Sequence, residues 1–220
     1  MEPATGEPTP TTYGIGARVS LHPMSARFED IIIGALADAE AARGDLTTRT
    51  GVVSTFVGGD EADLLAYLTA LIGAAARRAN GEHLAASVLL SRGCPGEVTC
   101  DLRSGPWASD GELTAEPTGT TAVAEWSLYP LLDANPAASA GAARDHMEPI
   151  MAAIEQAKQV GLYDGSDHYV TRLRGDVADI LSLVTTAWRG VGGGVQHVTS
   201  HLSFSINSPT ETREPTQEQS

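Results

Sequence analysis

Residues 20–24 read SLHPM, and residues 127–131 read SLYPL. Each follows a stretch with strand alternation and precedes a run with helical periodicity. Five residues can coincide by chance, so the flanks decide what the match means. In the first block Ile15, Ala17, Val19 and Leu21 alternate with Gly16, Arg18, Ser20 and His22, the pattern of a half-buried strand. Pro23 punctuates it, and Ser25 is placed to cap a helix. Phe28, Ile31, Ile32, Ala35, Leu36 and Ala39 then form one apolar stripe, stopped at Gly44. Residues 46–50 and 52–58 predict two short strands about a turn near Gly51. Asp60 caps a second helix, striped by Leu64, Leu65, Leu68, Leu71, Ile72 and Ala75 and ended by Asn80-Gly81. A last strand is expected over 83–91.

The second block repeats this order. Residues 123–129 predict a strand, and a longer loop, LLDANPAASAGAA, follows. Met147, Ile150, Met151, Ile154 and Ala157 stripe a helix that Gly161 ends. The pattern over 167–174 predicts one strand, and Asp176 caps a helix striped by Val177, Ile180, Leu181 and Val184. Residues 190–194 predict a loose turn, and 196–206 predict the closing strand. TFVGGD at 55–60 aligns with TRLRGD at 171–176, His83 with His197, and SRGCP at 91–95 with SINSP at 205–209. Chance no longer accounts for SLHPM and SLYPL: the chain is an internal duplication. The expected fold is α+β, a tandem repeat of two ferredoxin-like (βαββαβ) units with antiparallel sheets. In each unit both helices cover one sheet face and leave the other open. The expected organisation is a disordered leader (1–13), repeat 1 (14–96), a linker (97–121), repeat 2 (122–209) and a disordered tail (210–220).

The chain has 220 residues, a formal net charge of −14 and 42% apolar residues. Such a surface repels nucleic acid and anionic membrane, so neither is an expected partner. No apolar run approaches the roughly 20 residues that span a bilayer. The first residues lack the basic and apolar regions of a signal peptide. Cys94 and Cys100 make no disulfide framework, so a cytoplasmic protein with reduced thiols is expected.

Enzymatic chemistry finds little support. Cys94 lies in the turn RGCPGE, but nothing in the sequence pairs it with a base such as His22 or His83. His197 and His201 lie on a predicted strand, where four residues span about 13 Å, too far to share one zinc. GVGGGV at 190–195 has the glycines of a phosphate loop without its Lys-Ser/Thr. No metal and no cofactor is expected. The open face instead carries small neutral groups: Ser20, His83, Ser87 and Ser91 in one half, Ser127, Tyr129, Thr199, His201, Ser203 and Ser205 in the other. Such groups suit a surface that orients a small heteroaromatic ligand, and equally suit sheet-on-sheet packing. Arg18 and Glu125 occupy matching positions with opposite charge.

ARVSLHPM (17–24), VVSTFVGGD (52–60), SRGCPGE (91–97) and the second-half SLYPL together resemble the YkoF-like thiamine/hydroxymethylpyrimidine-binding family over nearly all of residues 14–209. The resemblance implies a non-enzymatic binder of thiamine or its hydroxymethylpyrimidine precursor, with one ligand per repeat. It also implies a homodimer and a role in thiamine-precursor uptake or salvage. Candidate ligand contacts are Ser20, Thr50, Ser54, Thr55, Ser91, Gly93 and Cys94 in the first half. In the second they are Ser127, Asp167, Thr171, Ser205 and Asn207. The halves depart from the family pattern differently. Gly51 and Val52 stand where acidic residues precede Val-Ser-Thr, while Asp167 remains in the second half. Val170 replaces Ser54, and Asn207-Ser208-Pro209 replaces Gly93-Cys94-Pro95. The alternatives are an ACT-like regulatory or interaction module for another metabolite and, last, a small enzyme using Cys94.

Overall fold

Strand β1 (Gly16–Pro23) turns Ala17 and Val19 inward and leaves Arg18 exposed, as its alternation requires. Helix α2 (Phe28–Ala39), strands β2 (Thr47–Thr50) and β3 (Thr55–Gly58), helix α3 (Glu61–Ala79) and strand β4 (Leu84–Arg92) complete the first repeat. The second repeat is β5 (Thr121–Leu131), α4 (Met147–Gln159), β6 (Tyr163–Asp167), β7 (Val170–Asp176), α5 (Val177–Gly192) and β8 (His197–Ile206). This computed structural model describes residues 9–93, 111–131, 147–195 and 197–210. The duplicated ferredoxin-like plan is present in both halves.

The two four-stranded sheets are joined edge to edge. The order is β2-β3-β1-β4-β8-β5-β7-β6, and all neighbours run antiparallel. The matching last strands, β4 and β8, pair at the centre, from Leu84 opposite Ile206 to Arg92 opposite Val198. The core fills the space between this sheet and the helices. It is built from residues such as Leu64, Leu68, Val88, Trp126, Ile180, Val184 and Leu202.

Local signals behave largely as expected. Asp60 and Asp176 both accept a bond from the backbone N–H two residues on, at 2.8 Å, and so cap α3 and α5. Asn80 ends α3 at φ 49°, in the left-handed region. Four expectations change. Residues 10–13 of the leader form a helical turn, α1 (Pro10–Tyr13), which buries Tyr13. The Ser25 hydroxyl accepts from Arg27 N–H, one turn before α2 begins, so it shapes the approach and does not cap the helix. The single strand predicted over 167–174 is a hairpin of β6 and β7. A bulge between Tyr163 and Gly165 breaks the period of two and hides β6 from a pattern search. α5 runs on to Gly192, into the predicted loose turn.

Part of the expected linker is anchored as well. Thr186 Oγ1 accepts from Leu113 N–H (3.1 Å), and Ser182 Oγ accepts from Ala115 N–H (3.1 Å), so the segment follows α5. Asp176 Oδ1 also accepts the N–H and hydroxyl of Thr118, and Oδ2 accepts the N–H of Gly119 and Thr120.

Beneath the seam lies Arg92, with no exposed surface. Its guanidinium donates to Glu61 Oε1 (2.5 Å) and to the carbonyl of Arg189 (3.1 Å), and sits over the rings of Tyr13 and Trp188. Arg189 Nε meets the other Glu61 oxygen at 3.1 Å. A Cβ at Gly192 would collide with the Arg92 side chain, so glycine is needed for this approach. The cluster ties α3 of one repeat to α5 of the other.

Two outcomes follow from these contacts. Glu61→Ala leaves the Arg92 charge buried without its carboxylate and is expected to cost about 3 kcal/mol or more in urea unfolding. Burial raises the pKa of Asp176, but the bonds from Ala178, Thr118 and Gly119 outweigh that and hold it below the usual carboxylate value. A depressed pKa contributes stability above the unfolded value of about 3.9, and that contribution is lost as the pH falls through the folded value. Asp176→Asn is therefore expected to lower the urea midpoint at neutral pH, with the deficit closing in acid.

Candidate functional site

β1 has eight residues and β3 only four. Their pairing ends with Val19 opposite Thr55, so Ser20, Leu21 and His22 run on past the end of β3. Met24 N–H donates toward β4, to His83 O. Strand alternation therefore turns the backbone N–H and C=O of Leu21 the opposite way, into the gap beyond β3. Neither has a backbone partner among the described residues. The turn at 51–54 swings around this gap, and α2 lies over it.

The result is a cavity of about 380 Å³. Its apolar wall is Val19, Leu21, Ile32, Leu36 and Leu71, and its hydroxyls are Ser20, Thr50, Ser54 and Thr55; the tip residues Gly51, Val52 and Val53, with His22, complete it. Ser20 Oγ donates to the carbonyl of Val53 (3.0 Å) and so fastens the turn to the strand. Thr50 and Thr55 share a hydrogen bond between hydroxyls at 3.1 Å. Arg18 donates to Ser54 Oγ (3.0 Å) from across the Phe56 ring. Val52 and Val53 stand in solvent at 105% and 79% exposure, an apolar tip at the rim of the cavity.

The second repeat rebuilds the same frame with other residues. Pairing of β5 with β7 ends with Trp126 opposite Thr171, and Ser166 lies opposite Thr171 as Thr50 lies opposite Thr55. Ser127 Oγ donates to the carbonyl of Tyr169 (3.0 Å), the counterpart of the Ser20 bond. Trp126 stands where the first repeat has Val19, buried, with its indole N–H on Ser200 Oγ (2.8 Å). Asp167 accepts both the N–H and the imidazole of His168, and these bonds hold its carboxyl below the usual range. β5 does not stop at Tyr129, as the pattern over 123–129 predicts, but continues to Leu131. Pro130 is tolerated because β7 no longer runs beside it, so its missing N–H faces no partner strand.

The structure thus gathers Ser20, Thr50, Ser54 and Thr55 around one cavity, and Ser127, Asp167 and Thr171 around the matching gap. Ser91, Ser205 and Asn207 lie elsewhere, along the central seam. There His83 bonds Ser205 (3.0 Å), Ser87 bonds His201 (3.1 Å) and Ser91 bonds His197 (3.3 Å). Asn207, at φ 56°, reaches the Glu82 carbonyl at 3.5 Å. Gly93 follows β4 at φ 88°, and Cys94 lies outside the described residues. Sequence reasoning missed the Leu21 backbone, Ile32, Leu36 and Leu71 as site residues. The sequence pattern predicts a strand over 52–58, whereas β3 spans only Thr55–Gly58 because residues 51–54 form the turn, and that shortening leaves the β1 edge unpaired.

The chain is a tandem ferredoxin-like protein with a ligand-sized cavity in its first repeat. It belongs to the YKOF-related family, whose model matches residues 14–97 and 121–211, one span per repeat. It is also similar to a Bacillus subtilis (strain 168) protein named "Putative HMP/thiamine-binding protein YkoF". The two are 28% identical over 206 residues, 89% of this chain and 91% of that one.

The two serine bonds make a direct test. Ser20→Ala and Ser127→Ala are each expected to lower stability by about 1 kcal/mol, read from chemical denaturation. They should also speed amide exchange in the adjoining turn, 51–54 or 168–169, without affecting the other.

Proposed function

We propose that the protein binds thiamine or its hydroxymethylpyrimidine part, without converting it, and so supports uptake or salvage of thiamine precursors in the cytoplasm. The observation that carries this reading is the cavity at the unpaired edge of β1. An aminopyrimidine is flat, apolar on its faces and lined with donors and acceptors at its rim. The backbone N–H and C=O of Leu21 offer a donor and an acceptor side by side. The hydroxyls of Ser20, Thr50, Ser54 and Thr55 supply further partners, and Ile32, Leu36 and Leu71 cover the ring faces. A volume of about 380 Å³ falls within the range of small-molecule sites. The printed name of the Bacillus subtilis relative points to the same ligands and to binding, not catalysis.

The acidic chain, at −14, accommodates the thiazolium cation of thiamine. The open sheet face, with its ladder of Ser–His bonds, is the surface we assign to a homodimer. Among the described residues no helix is long and apolar enough to cross a membrane.

Calorimetric titration with thiamine and with hydroxymethylpyrimidine tests the reading. Binding of at least one of them is expected, and no heat from either at millimolar concentration would end it. Leu36→Phe, which fills the first cavity, should abolish binding there while the thermal midpoint stays level or rises. Ser54→Ala is expected to weaken the first-repeat site alone, and Thr171→Val the second.

A further inference from the structure

Tyr169 stands at the tip of the β6–β7 hairpin with φ 69°, a left-handed conformation that strains a bulky side chain. Its side chain is 93% exposed. Neither property serves folding. Glycine would hold the same turn without strain, and among the described residues the exposed ring meets only the tilted His168 ring, at 6.3 Å between centroids.

Its location is nonetheless defined. The Ser127 hydroxyl holds the Tyr169 carbonyl as the Ser20 hydroxyl holds that of Val53. Tyr169 is therefore the second repeat's Val53, and Val53 lines the first cavity. The hydroxyls beside the gap recur too, with Thr171 for Thr55 and Ser166 for Thr50. The surrounding charge does not recur. Where the first repeat has Arg18 opposite Phe56, the second has Glu125 opposite Arg172, and Asp167 adds a carboxylate at the hairpin tip.

We propose that Tyr169 is the aromatic platform of a second ligand site, against which repeat 2 stacks a flat heteroaromatic ring and prefers one that carries positive charge. The proposal rests on the reading of this protein as a pyrimidine binder and assigns the residue that makes its two sites unequal. Offset stacking on the phenol favours a flat ring, and the negative face of the phenol favours a cation. Glu125 and Asp167 act in the same direction, while Arg172, opposite Glu125 and 3.7 Å from Asp164, opposes them. Val53 offers the first repeat neither contact. The two gaps open at opposite ends of the sheet, because β1 and β5 run in opposite directions across the seam, so the sites fill independently.

Titration of the full chain in the Leu36→Phe background reports the second repeat alone. Thiamine is expected to bind there more tightly than the neutral hydroxymethylpyrimidine. Tyr169→Gly should weaken thiamine at least about fivefold, while Tyr169→Phe should retain most of the affinity. Because glycine relieves the strain, the thermal midpoint of Tyr169→Gly should not fall. In the otherwise unchanged chain, the first site should be unaffected by Tyr169→Gly.

Unchanged second-repeat affinity in Tyr169→Gly would overturn the proposal, as would equal losses at both sites. A change in particle mass by sedimentation, with affinity unchanged, would assign Tyr169 to a protein contact and also refute it. If only one equivalent binds and Leu36→Phe abolishes it, the pyrimidine-binding reading survives and this inference fails. If the unmodified chain binds neither ligand, both fail together.

Discussion

The pairing of β4 with β8 is the constraint on which the rest of this molecule depends. Each ferredoxin-like unit alone would end in an unpaired strand, open to association with other chains. Here the two matching edges satisfy each other, and one sheet of eight strands results. The helices are thereby brought onto a common face, where α3 and α5 meet over the seam. The buried charge of Arg92 then acquires its partners from both halves: Glu61 from the first, and the Arg189 carbonyl from the second. A buried ion pair is a poor source of net stability, because desolvation offsets much of the attraction. Its effect is geometric, since one guanidinium nitrogen of Arg92 meets both Glu61 of α3 and the Arg189 carbonyl of α5.

The same seam leaves the ends of β1 and β5 unpaired beyond β3 and β7. Both gaps lie away from the centre, between the first and third strands of each repeat, where the third strand stops short. The Ser-Leu-x-Pro motif builds this arrangement. Its serine fastens the hairpin tip, its leucine carries the unpaired backbone edge, and its proline lacks the N–H that a further strand would need. A chain that closed the ladder completely would be better hydrogen-bonded and would have no room at this edge. The frame is common to both repeats, and what differs is the set of side chains around it: Val19 against Trp126, Val53 against Tyr169, Arg18 against Glu125. Duplication has supplied two copies of one backbone device, and divergence has given each its own surface.

Much of the fold was legible because its signals are local. The stripe of α2, the Asp60 and Asp176 caps, the Asn80 stop and the alternation of β1 each depend on residues within a few positions of one another. Repetition doubled the strength of every such signal. β6 escaped because a bulge breaks its period and its residues, YDGSD, carry almost no apolar pattern. The candidate site was half legible. Ser20, Ser54, Thr55 and Ser127 stood out within repeated motifs, and they do lie beside the gaps. Ser91 and Ser205 looked equivalent to them in sequence, yet they bond to histidines across the seam.

That division has a physical cause. Periodicity and capping are properties of short segments, so the residues of the chain are enough to specify two βαββαβ units and the matching positions within them. Nothing in a short segment states which edges will pair, or that Arg92, an ordinary cation at the end of an ordinary strand, will lose all contact with water. The cavity belongs to the same category. It is bounded by Leu21, Leu36, Leu71 and the turn at 51–54, brought together from three separate elements and a hairpin. Its existence follows from where β3 ends relative to β1, a difference in length that acquires meaning only once the strands lie side by side.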